Sequence, residues 1–180
     1  MAIAFTPTPT GLVLDVMRVS IGGTAMGLTK GGVEISVTSE WLKVMSDQYG
    51  KTPLQMFNVG DDVSIKFALH EWSYANLNRA LGPTSTLRST GGTAVGVGGL
   101  MAGSKIGTTV AVALIFHPLD VDDGTLTDDI NVWKAICTRC EPIKWGPEQE
   151  IVLATEWSVI ADTSKTAGKM LIDFGLAAAT

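Results

Sequence analysis

Two stretches of this chain alternate apolar and polar residues with a period of two, which restricts them to half-buried β-strands. In residues 33–40, Val33, Ile35 and Val37 interleave with Glu34, Ser36 and Thr38. In residues 62–70, Val63, Ile65, Phe67 and Leu69 interleave with Asp62, Ser64, Lys66 and His70. Residues 150–160 repeat the pattern, with Ile151, Leu153, Thr155, Trp157 and Val159 against Glu150, Val152, Ala154, Glu156 and Ser158. An apolar run from Leu12 to Ile21, closed by Gly22-Gly23, predicts an earlier strand. Thr108 to His117, rich in Val, Ala, Ile and Phe, predicts a central strand buried on both faces. Residues 130–140 and the run Met170, Ile172, Phe174 supply two more. One helix is signalled: Ser73 caps it, Tyr74, Leu77 and Leu81 share a face, and Gly82-Pro83 stops it. The expected fold is mainly β, a β-sandwich or barrel of about six to eight strands with one flanking α-helix, plus an extended loop and an arm.

Length and composition fit one folded unit. At 180 residues the chain buries roughly 70% of its unfolded surface, enough to hold a core without metal or disulfide. Residues 1–10, with Pro7 and Pro9 among threonines, read as an extended N-terminal arm, leaving 11–180 as a single β domain. That opening has no basic region and no uninterrupted apolar core, which argues against a secretory leader. The two cysteines are then expected as free thiols in a reducing compartment. Residues 84–107, rich in Gly, Ser and Thr, read as a flexible hairpin or arm. The net charge of −5, with no cluster of Lys and Arg, disfavours a sequence-reading nucleic-acid binder. No apolar run approaches the ~20 residues of a membrane-spanning helix.

No motif assembles a reaction centre. Cys137-Thr-Arg-Cys140 has redox and zinc-ribbon spacing, but it lies in a predicted strand, where residues three apart point to opposite faces, and no further ligand pair completes a metal set. Both thiols are expected in the core. The run Gly98 to Lys105 lacks the Lys-Ser/Thr order of a phosphate loop, and Met101 replaces the third glycine of a dinucleotide fingerprint. Asp120, Asp122, Asp123, Asp128 and Asp129 crowd one turn, yet Thr125 and Asn131 stand where a calcium loop needs Gly and Glu. His70 and His117 have no Ser or Cys at catalytic spacing. The five tryptophans fall on separate segments, which favours packing over a ligand platform. The expectation is a protein without catalytic residue, metal or cofactor.

Four segments carry a resemblance: Gly27-Leu-Thr-Lys-Gly-Gly-Val33 entering an alternating strand, Asp47-Gln-Tyr-Gly-Lys-Thr-Pro53 in an apolar loop, Val59-Gly-Asp-Asp-Val63 entering the next strand, and the helix from Tyr74 to Leu81. With the strands near Trp133 and Trp157 and the closing Gly168-Lys-Met-Leu-Ile-Asp173, the arrangement over residues 22–175 resembles the major tail tube proteins of long-tailed bacteriophages and their relatives in contractile injection machines. The resemblance implies subunits that form hexameric rings and stack into a virion tail tube, assembled in the host cytoplasm. It also implies passage of DNA through the tube, and tape measure, tail terminator and baseplate or tip proteins as partners. In such proteins a loop between early strands bridges rings. Here that loop is Met45 to Gly60, with Met45, Tyr49, Leu54, Met56 and Phe57 as contact candidates; the arm at 84–107 or the N-terminal arm could serve as well.

Physical chemistry points the same way. Leu54, Met56 and Phe57 in a loop would expose a patch that monomers seldom tolerate, and open sheet edges are templates for pairing. Negative charge suits a conduit because it repels phosphate. The lumen-facing candidates are Asp15, Glu34, Asp61, Asp62, Asp122, Asp123, Glu150 and Glu156. A ring-forming tail terminator or connector is the alternative within the same class, and a glycan-binding β-sandwich module using its tryptophans is a further one.

Overall fold

The computed structural model describes residues 16–71, 73–80, 111–126, 128–147 and 150–175. The N-terminal arm, the 84–107 arm and the Gly82-Pro83 stop lie outside them. Eight strands form one antiparallel sheet: β1 Met17–Ile21, β2 Thr24–Ala25, β3 Thr29–Met45, β4 Pro53–Leu69, β5 Val112–Pro118, β6 Ile130–Cys140, β7 Leu153–Val159 and β8 Ile172–Phe174. Their lateral order is β2-β1-β5-β6-β7-β4-β3, and β8 pairs with the first residues of β6, where β7 does not reach.

The sheet curls until its two ends meet, as expected for a sandwich or barrel. The segment between β2 and β3 bridges them: Met26 N–H donates to Val19 O of β1, His70 N–H at the end of β4 donates to Leu28 O, and Thr29 Oγ1 donates to Met17 O. The concave face closes on one core, in which Val19, Ile21, Ile65, Phe67, Leu114, Phe116, Leu153 and Trp157 are buried. β5 lies between β1 and β6, and its Phe116 and His117, on opposite faces, are both buried.

The helix, α1, spans Tyr74–Ala80, and Ser73 caps it through a 3.0 Å bond from Asn76 N–H to Ser73 Oγ. The buried Asn76 amide also donates to Met26 O at 3.3 Å and Glu71 O at 3.2 Å, fastening the helix to the bridging segment. Asn76→Ala is therefore expected to cost about 1–3 kcal/mol, seen as a lower urea midpoint in equilibrium denaturation.

Two sequence expectations change. Met45 to Gly60 is not one long loop. β3 and β4 continue outward as paired strands and close through residues 46–52, which include the 3-10 turn Asp47–Tyr49. Cys137 and Cys140 also do not point to opposite faces. A bulge between Cys137 and Arg139 shifts the phase, so the cysteines pair with Trp157 and Thr155, which share the core side. Burial pushes the Cys137 thiol up to about 11 and raises Cys140 as well, which keeps both protonated and poorly nucleophilic.

A strap from Ala161 to Leu171 folds over β6. Trp133 Nε1 donates to Lys169 O at 2.9 Å, the Lys165 ammonium sits 3.8 Å from the Trp133 ring centroid, and Lys134 pairs with Asp162 at 2.9 Å. This strap forms one wall of the groove at the base of the β3–β4 hairpin.

Candidate functional site

The outer half of the β3–β4 hairpin is the outstanding surface. β7 pairs with β4 only over Ser64–Leu69, and β3 ends the sheet, so residues 38–45 and 53–62 pair with each other and with no other described strand. At about 3.3 Å per residue this gives a ribbon about 26 Å long. Its residues are exposed on both faces. A two-stranded ribbon standing alone is at best marginally stable in water.

Register fixes which side chains share a face. Continuing the core side, Val37 lies opposite Val63, Ser39 opposite Asp61, Trp41 opposite Asn58 and Lys43 opposite Met56. Continuing the outer side, Glu34 lies opposite Lys66, Ser36 opposite Ser64, Thr38 opposite Asp62, Leu42 opposite Phe57 and Val44 opposite Gln55. Two steps of the hairpin fall out of phase: β4 inserts Val59 between Asn58 and Gly60, and Leu54 between Pro53 and Gln55 near the turn. The ribbon therefore carries apolar residues on both faces, Trp41 and Met56 on one, Leu42, Val44 and Phe57 on the other, with Phe57 52% exposed. An exposed apolar concentration of this kind is uncommon on a protein that stays alone and marks the hairpin as a candidate interaction surface.

The five contact candidates named from sequence all fall on this hairpin and are exposed: Met45 and Leu54 near its end, Tyr49 in the turn, Met56 and Phe57 on opposite faces. Trp41, Leu42, Val44 and Val59 belong with them and were missed. The signal was present in the apolar run Trp41-Leu42 and Val44-Met45, but the alternation of residues 33–40 stops before it.

The acidic candidates disperse. Asp61 and Asp62 lie on opposite faces of the hairpin base. Asp61 accepts hydrogen bonds from Ser39 Oγ at 2.5 Å and Asn58 Nδ2 at 3.2 Å, and these two donors hold its carboxyl below the usual range. Asp123 is bound to Arg18, and Glu150 to Lys30 with His70 nearby. Glu156 lies 3.5 Å from Lys66. Asp122 is exposed in the β5–β6 turn, and Asp15 is outside the described residues. No group of His, Cys, Asp or Glu among the described residues is arranged to hold a metal ion, and no described helix is long and apolar enough to cross a membrane.

One polar cluster has a defined chemistry. His117 Nδ1 lies 2.6 Å from Asp129 Oδ1, its Nε2 lies 3.3 Å from Val121 O, and Asp123 stands 3.9 Å from Nε2. Both ring nitrogens meet acceptors, so the imidazolium is the matching state. The Asp129 hydrogen bond accordingly raises the His117 pKa above its ordinary value. A raised folded-state value means that His117 stabilises the fold fully below its unfolded pKa and loses that contribution as pH rises through the folded value. At the acid end, Lys134 and Ser164 lower Asp162 to about 2, so its contribution is present above the unfolded value and disappears as pH falls through the folded one. Thermal melts against pH are expected to decline on the alkaline side of about pH 6.5, and His117→Gln is expected to flatten that limb.

No protein-family profile matches the chain, and a search of curated proteins finds no match.

Proposed function

We propose that this protein is a structural subunit of a bacteriophage tail tube, assembling into rings that stack into a conduit for DNA. The ribbon formed by β3 and β4 carries the reading: among the described residues nothing covers its faces or pairs with its outer edges in a single copy, and other copies complete it. Edge pairing of β3 with a neighbouring subunit continues the sheet around a ring, and a head-to-tail contact that does not close propagates it into a tube. The hexameric ring follows from the resemblance to tail tube proteins, as do the tape measure, terminator and baseplate or tip partners and the location in the virion. A net charge of −5 suits a tube through which DNA moves without adhering. Asp62 and Asp122, which no Lys or Arg neutralises among the described residues, suit the lumen better than Asp123 and Glu150. The reading assigns no catalytic step and no cofactor.

Negative-stain microscopy of the concentrated pure protein tests it. Tubes or stacked rings are expected. Single rings would favour a terminator or connector, and a persistent monomer that binds glycans would replace the reading altogether.

A further inference from the structure

At the base of the hairpin, on the face that continues the core side, lies an open groove of about 380 Å³. Its walls are apolar, with Val37 and Val63 from the hairpin, Met170, Leu171 and Ile172 from the strap and β8, and Phe174 at the rim. Among the described residues Asp61 is the one charged residue lining it. Ser39 and Asn58 hold one carboxylate oxygen in place, and no cation lies within ion-pair distance of Asp61 among the described residues. The groove thus presents a fixed anion between apolar walls, and it fits an apolar segment carrying one cation.

The same face of the hairpin carries that segment. Lys43 lies opposite Met56 and beside Trp41, is exposed, and has no anionic partner among the described residues. It cannot serve Asp61 of its own chain: Asp61 pairs with Ser39, four residues back along an extended strand, which is about 13 Å. The two halves of one contact therefore stand on each copy at a fixed offset.

We propose that the groove at the hairpin base seats the outer hairpin of a second copy, with Lys43 of that copy paired to Asp61 and its Trp41 and Met56 covering the apolar walls. This deepens the assembly reading and rests on it. A uniform displacement between copies is heterologous and continues from subunit to subunit. The pair, shielded by apolar neighbours, sets the register of the contact.

Charge exchange tests the contact. Lys43→Glu, Asp61→Lys and the double variant are compared with the wild type by sedimentation velocity over a concentration series, and Asp61→Asn removes the charge with little change of shape. Far-UV circular dichroism and melting temperature are expected to match the wild type in all four, because both residues are exposed. Each single reversal is expected to raise the concentration needed for assembly at least tenfold. Asp61→Asn should shift it in the same direction but less, and the double variant should return to within about threefold of the wild type. Single variants that assemble like the wild type, or a double variant no better than the worse single one, overturn this contact while leaving the assembly reading in place. A wild-type protein that stays monomeric throughout overturns both.

Discussion

Phe57→Asp is expected to leave the subunit folded and to abolish its polymerisation. Phe57 is half exposed and lies opposite Leu42 on the outer face of the ribbon, where the subunit's own core makes no use of it. Surface substitutions of this kind move subunit stability by about 0.5 kcal/mol or less. At a contact between copies the same change removes an aromatic side chain worth about 1.5–3 kcal/mol of burial and places a carboxylate in its stead. A combined loss of about 4 kcal/mol raises the assembly concentration about a thousandfold. The melting temperature and the polymer yield, measured on one sample, separate the two effects. A Phe57→Asp protein that forms tubes of ordinary length removes this face from the contact, and one that unfolds places Phe57 in the core. Met56→Asp tests the other face independently, since register sets Met56 opposite Lys43 and away from Phe57.

The division of the hairpin into two faces explains what could be read from the sequence and what could not. Period-two alternation arises where one face is buried and the other wet. It therefore located the strands at Val33, Ile35 and Val63 to Leu69, whose apolar side chains lie in or against the core. Beyond them both faces of the ribbon have the same environment in the isolated chain, so the pattern dissolves into runs such as Trp41-Leu42 and Met56-Phe57. Pro53, Asn58 and Gly60, each a poor strand former, then read as loop. The bounds of β6 and the Ser73 cap were legible because each depends on neighbours in sequence. The facing of the two cysteines was not, because a bulge is set by pairing with β7. Nor was the His117–Asp129 contact, which joins the end of β5 to the start of β6 and singles out one carboxylate from an acidic turn. Leu54, Met56 and Phe57 stand out on the hairpin by their apolar composition, Trp41, Leu42, Val44 and Val59 do not, and the arrangement of all of them on two faces required the register.

The core gives the opposite result to the hairpin, and tryptophan shows the contrast within one residue type. Trp157 is fully buried on β7, stacked on Phe67 with centroids 6.0 Å apart, and Phe67 meets Phe116 edge-on at 5.8 Å. Its indole N–H donates to Thr155 Oγ1 at 2.9 Å, and that hydroxyl donates to Phe67 O at 3.2 Å, so the ring satisfies its polar atom inside the core and ties β7 to β4. Trp157→Ala removes this packing and leaves a cavity, at a cost of about 3–5 kcal/mol. Against a total of about 5–15 kcal/mol, the subunit should melt about 10–15 °C lower or fail to accumulate. Trp157→Phe, which keeps the stack on Phe67 and loses the indole bond, should recover most of the difference. Trp41→Ala removes the same side chain from the exposed ribbon and is expected to leave the melting temperature unchanged while impairing assembly. A melting temperature that falls equally in Trp41→Ala and Trp157→Ala would show that the ribbon stabilises its own subunit and needs no other copy to complete it.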